Sequence, residues 1–174
     1  VTGPTCFERV YLLQEETMLG FLGVIPQWPL DIDDPEHQAV LRSMMWFAVE
    51  ELFEAVAEDN SGHEDEHKVE LVDGLHFTLE LLILCGIKPW TFEVVPRSRW
   101  RDFVEQLAGA SHELKNKPWK KTLSKTNEVV FQCLLRHAFM SYWNYVSYFM
   151  KPEEILEIFQ LKNKVVRERQ ASGY

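Results

Sequence analysis

Three features of the sequence predict an all-α fold. Apolar residues recur at helical spacing through several long stretches, prolines and glycines punctuate those stretches, and no run alternates apolar with polar residues as a half-buried strand would. The expected architecture is a bundle of five to six helices. With 174 residues, 46% of them hydrophobic, the chain can bury a core without staples, and residues 1–174 are expected to form one domain.

The first helix is expected over residues 5–22, where Phe7, Val10, Tyr11, Met18 and Phe21 share one face. Gln14 is the polar member of that face, placed either to satisfy a backbone group or to present a bidentate amide to a ligand. Residues 23–35 hold three prolines and the acid run Asp31-Ile32-Asp33-Asp34, so a loop is expected there. Trp28 within it is either a packing residue or a pocket wall. Asp34 before Pro35 forms an N-cap with proline at the first helical position, which starts a second helix running to about Glu58. A polar break over residues 59–66 carries His63 and leads to His67, both expected to be solvated rather than ligating. The third helix runs from about Asp65 to Cys85 and stops at Gly86, with Pro89 beyond.

A short connection over residues 88–96 leads to an amphipathic helix over 98–108 that uses Trp100, Phe103, Val104 and Leu107. Residues 109–125 are rich in lysine around Trp119 and read as a solvated, mobile loop, or else as a basic lid. The fifth helix spans about 124–149. Its second half concentrates Phe139, Tyr142, Trp143, Tyr145, Tyr148 and Phe149, more aromatic surface than one core requires, so part of it is expected to face a second copy of the chain. Lys151-Pro152 restarts the chain into a final helix through Ile155, Phe159 and Leu161, followed by a basic tail.

A formal net charge of −9 argues against general binding of nucleic acid or anionic membranes. Cys6, Cys85 and Cys133 are widely spaced, odd in number and set among apolar residues, which fits reduced, buried thiols in a cytoplasmic protein. The longest apolar run, residues 71–87, is interrupted by Asp73, His76 and Glu80, so no membrane span is expected.

The chemistry is concentrated in two acid pairs. Glu51/Glu54 and Glu70/Asp73 are each three residues apart within helical patterns, so each pair lies on one helix face a turn apart. All four acids converge if the two helices pack antiparallel. Mutual repulsion makes such a cluster a site for hard cations, and all-oxygen ligands point to Mg2+, which shares its coordination shell with substrate phosphates. The bland alternative is a pair of solvated helix faces. It fits less well on the third helix, which is apolar nearly all round. His76, one turn after Asp73, either orients that carboxylate or is a hydrogen-bonded core histidine.

These residues resemble the all-α dimeric dUTPases and the related phage dCTPase-dUTPases, within the MazG-like nucleotide pyrophosphohydrolases. Glu51/Glu54 followed by Glu70/Asp73 is similar to the superfamily's Glu-x-x-Glu and Glu-x-x-Asp. Val72-Asp73-Gly74-Leu75-His76-Phe77 resembles its Val-Asp-x-x-His-Phe, and the tail residues Lys162, Asn163, Arg169, Gln170, Gly173 and Tyr174 match its closing motif. Val166 departs from that motif, standing where an asparagine is usual, and the two acid pairs lie closer in sequence than in many dimeric dUTPases.

The resemblance implies a homodimeric enzyme that hydrolyses a pyrimidine deoxynucleoside triphosphate, dUTP first and dCTP second, to the monophosphate and pyrophosphate. It further implies two or more Mg2+ ions on Glu51, Glu54, Glu70 and Asp73, with Glu51 as general base. Lys162, Arg169 and Tyr174 would face the phosphates, and Gln14 and Asn163 the base and sugar. Two alternatives stay open, a house-cleaning pyrophosphohydrolase for modified nucleotides and an idle helical binding module.

Overall fold

The computed structural model describes residues 5–20, 27–88 and 99–172. Among these residues there are six helices and no strand: α1 (Cys6–Leu19), α2 (Pro35–Ser61), α3 (Glu64–Leu84), α4 (Trp100–Glu113), α5 (Glu128–Phe149) and α6 (Pro152–Ala171). Among the described residues no helix is long and apolar enough to cross a membrane.

Local chemistry fixes the helix ends. Thr5 and Glu8 form a capping box at the start of α1. The Asp34 carboxylate accepts from the backbone N–H groups of Glu36 and His37, and Pro35 occupies the first turn of α2. Gly62, at φ 78°, adopts the left-handed conformation that ends α2. The polar break expected over residues 59–66 is therefore only Gly62 and His63, because the charged residues on either side remain helical. This tight reversal lays α3 antiparallel along α2.

The helix α3 packs against α1, α2, α5 and α6, while α4 pairs with α5. Leu71, Leu75 and Leu79 of α3 are fully buried, together with Tyr11, Phe103, Phe131, Phe139, Tyr142 and Phe159 from the surrounding helices. That environment explains why the third helix reads as apolar nearly all round.

Several expectations change. The helix α4 continues to Glu113, and the lysine-rich stretch after it is anchored rather than loosely held. Asn116, fully buried, donates from its backbone to Gln38 Oε1 (2.8 Å) and from its side chain to the carbonyls of Asp33 (2.7 Å) and Ser124 (2.9 Å). Its Oδ1 accepts from the Ser124 N–H at 2.7 Å, so one amide closes the base of the loop. The helix α5 starts only at Glu128, since Ser124 and Thr126 are committed to that base. The aromatic half of α5 is largely used within the chain: Phe139 and Tyr142 are buried, Trp143 packs edge-on to Phe7, and Phe149 meets His67. Tyr148 alone of that set is widely exposed. Cys133 is exposed rather than buried. Trp28 packs against the core, and the basic tail is a continuation of α6 to Ala171.

Candidate metal and phosphate site

Glu51 projects from α2, and Glu70 and Asp73 from the facing side of α3. Antiparallel packing brings one carboxylate oxygen of each within 4.8 Å of the others. All three are half-buried. Glu54, a turn further along α2, is exposed and outside the trio, although its charge reaches Glu51. Three of the four acids thus converge, and the fourth stays exposed outside the group.

The electrostatics of the trio are those of negative charge held out of water. Burial, then the charges of Asp73, Glu54 and Glu70, push Glu51 up to about 7. Burial likewise raises Glu70 and Asp73, with the Lys162 ammonium opposing the rise at both. Lys162 reaches from α6 to place Nζ 2.5 Å from Asp73 Oδ2. Three half-buried oxygens with raised proton affinity fit a hard divalent cation, which would relieve the repulsion that protonation otherwise relieves.

A cavity of about 300 Å³ opens beside the trio. Its wall includes Glu51 and Asp73, Lys162, Asn163 and Arg169 of α6, and Gln14 of α1. Asn163 is 3% exposed, and neither its Nδ2 nor its Oδ1 has a hydrogen-bond partner among the described residues. A buried amide with both ends unsatisfied is costly, so this side chain is available to a ligand that offers one donor and one acceptor.

Gln14 is held by side chains rather than by a backbone group, and His76 takes the second of its two expected forms, a hydrogen-bonded core histidine. Gln14 Nε2 donates to Glu80 Oε1 at 2.8 Å, and Gln14 Oε1 lies 2.7 Å from His76 Nδ1. Both ends of the Gln14 amide are engaged inside the protein. His76 does not orient Asp73. It donates through Nδ1 to Gln14 and stacks flat on Phe159, with centroids 3.9 Å apart, and Nε2 is left as an acceptor without a partner among the described residues. Burial pushes His76 down to about 3, so the ring is neutral. Glu80 is the residue that sequence reasoning passed over. It was visible as an acid inside an apolar run, but its partner lies 66 positions away on α1. Burial holds it at about 7 despite the Gln14 bond.

Gly173 and Tyr174 lie outside the described residues, as does the Gln170 side chain. Val166 lines the cavity as an apolar surface where the tail pattern has an asparagine.

A family model described as dUTPase matches residues 52–174. No curated protein and no solved structure matches the chain.

Proposed function

The chain belongs to the all-α dimeric dUTPase family, and we propose that it hydrolyses a pyrimidine deoxynucleoside triphosphate, dUTP first and dCTP second, to the monophosphate and pyrophosphate. The observation that carries this reading is the convergence of Glu51, Glu70 and Asp73 beside a cavity whose wall also supplies Lys162 and Arg169. Carboxylates and cations set together on the wall of one cavity suit a ligand that is a metal-bound polyphosphate.

Glu51, Glu70 and Asp73 would hold the metal, Mg2+ in this reading, with the exposed Glu54, a turn along α2, available to a second ion. When bound, the metal supplies charge neutralisation for phosphate oxygens and lowers the pKa of a water. The chain's own residues do the rest. Glu51, with a proton affinity near neutrality, accepts the proton of the attacking water. Lys162 and Arg169 stabilise charge that develops on the phosphate chain, a role that the family resemblance extends to Tyr174, which lies outside the described residues. Asn163 offers its unsatisfied amide to the base or sugar. Gln14, held by Glu80 and His76, braces the wall of the cavity.

The test is a pyrophosphate-release assay across the deoxynucleoside triphosphates, with Mg2+ and with chelator, on the natural chain and Glu51→Gln. Metal-dependent conversion of dUTP or dCTP, lost in the variant, is the expected result. Turnover confined to modified nucleotides would move the chain to a house-cleaning role. A folded, metal-loaded protein without any turnover would leave the idle binding module.

A further inference from the structure

Glu80 lines the same cavity as Glu51 and Asp73, yet it stands about two turns further along α3 than Asp73. Asp73, His76, Phe77 and Glu80 recur at intervals of three and four, and all of them are on the cavity wall, so one face of α3 runs the length of the site. The rise from Asp73 to Glu80 is about 10.5 Å. A nucleotide whose phosphates lie at the acid trio therefore carries its sugar past His76 and Phe77 and its base towards Glu80.

One oxygen of Glu80 is committed. Oε1 accepts from Gln14 Nε2 at 2.8 Å, and the other end of that amide is held by His76 Nδ1 at 2.7 Å. Gln14 is therefore fixed at both ends and is not free to turn over to suit a different base. No other described residue bonds the Glu80 carboxyl, which leaves Oε2 to what enters the cavity. A carboxyl oxygen donates when it carries the proton and only accepts when it does not. Burial, against the Gln14 bond, keeps that proton on Glu80 up to about 7. The other described titratable groups on the cavity wall are Glu51 of α2, Lys162 and Arg169 of α6, and Asp73 and the neutral His76 of α3, with none from α1 or α5. None of their charges contributes to the rise at Glu80.

We propose that Glu80 reads the 4-position of a pyrimidine base, donating as the acid to the 4-oxo group of uracil and accepting as the carboxylate from the 4-amino group of cytosine. The two bases differ at this edge in donor and acceptor, and a mismatch there leaves a buried polar group unpaired. Asn163, whose amide has no partner among the described residues at either end, offers its donor or its acceptor to N3 by turning over, so it follows either base and chooses neither. The same site thus favours dUTP below neutral pH and dCTP above it. The inference rests on the nucleotide-hydrolase reading and adds to it the residue that sets the base.

The test is kcat/KM for dUTP and for dCTP, measured on the full chain with Mg2+ from about pH 5.5 to about pH 8.5. Their ratio cancels what the two substrates share, including the titration of Glu51. The expected result is a dCTP-to-dUTP ratio that rises about tenfold through an inflection near 7. Glu80→Gln keeps an acceptor for Gln14 and presents an amide donor at every pH, so it should hold the ratio flat at the natural chain's low-pH value. Calorimetry at about pH 8, in buffers of different ionisation enthalpy, reads the proton itself: on binding the Mg2+-loaded chain, dUMP should take up about one proton more than dCMP. Glu80→Gln should abolish that difference. Turnover with a ratio that ignores pH, a ratio that titrates unchanged in Glu80→Gln, or equal proton uptake by the two monophosphates would overturn the role of Glu80 and leave the hydrolase standing. No turnover of either nucleotide would overturn the hydrolase reading and this one with it.

Discussion

Lys162 Nζ lies 2.5 Å from Asp73 Oδ2, and this contact joins the last helix to the acid-bearing face of α3. Both side chains are partly exposed, so the pair adds little to stability. Its importance lies in position, as a cation set against the metal-ligand candidates and on the cavity wall. Lys162→Met should unfold within about 1 kcal/mol of the natural chain while kcat/KM for the preferred nucleotide falls about 100-fold. Chemical denaturation and steady-state kinetics read the two separately. A loss of stability matching the loss of activity would assign Lys162 to the fold instead.

Metal binding can be read without turnover. A cation held by Glu51, Glu70 and Asp73 binds the folded chain alone, so added Mg2+ should raise the melting temperature, and chelator should reverse the rise. At tenfold excess over its dissociation constant the gain is about 1.4 kcal/mol. Glu51→Gln should melt at or above the natural chain without metal, because it removes a carboxylate whose charge is disfavoured by burial and by three acids. It should also lose the metal-induced shift. A shift that persists undiminished in Glu51→Gln would place the ion elsewhere.

Glu80 makes stability depend on pH in a definite direction. Its folded pKa, about 7, lies above the ordinary 4.5. Between those values the folded chain holds a proton that the unfolded chain releases, so stability falls as pH rises through this window and stays low above it. Glu80→Gln keeps an acceptor for Gln14 Nε2 and has no charge to lose. The variant should match the natural chain near pH 4.5 and exceed it by about 2–3 kcal/mol at pH 8. Equal denaturation midpoints at pH 8 would show that Glu80 ionises without cost.

How far the sequence reaches is clearest at α2 and α3. Asp34-Pro35 starts one helix and Gly62 ends it, and the three-residue spacing puts Glu70 and Asp73 on one face of α3, which meets Glu51 once the two helices pack antiparallel. Glu54 falls outside the trio because helical spacing fixes only a direction around the axis, while distance depends on how closely the helices pack. His76 pairs with Gln14 rather than Asp73 for the same reason, since its partner is chosen by the seat of α1 on α3. The lysine-rich stretch reads as a loose loop in sequence because its anchor is one asparagine bonded to segments about 80 positions away. Local composition carries no trace of such a contact.

Gly74 shows how packing sets the spacing of the site. A Cβ there would stand 2.1 Å from the Tyr142 hydroxyl oxygen, 2.8 Å from Tyr142 Cζ and 3.4 Å from Glu51 Cβ. The hydroxyl donates to the Leu71 carbonyl at 2.9 Å and is fully buried, so it has nowhere to withdraw. Alanine favours a helix interior by up to about 1 kcal/mol over glycine, but overpacking of this severity costs more, and Gly74→Ala should lose about 2 kcal/mol net. Adding Tyr142→Phe removes the 2.1 Å contact and leaves the one at 2.8 Å, so the double variant should recover part of the loss. The strain acts beside Asp73 and against Glu51, which means that Gly74→Ala should also blunt the Mg2+-induced rise in melting temperature. Denaturation of the single and double variants, with and without Mg2+, checks both effects. An alanine that left stability and the metal response untouched would show that α5 and α2 can move away from α3 freely, and that Gly74 does not hold the carboxylates at their spacing.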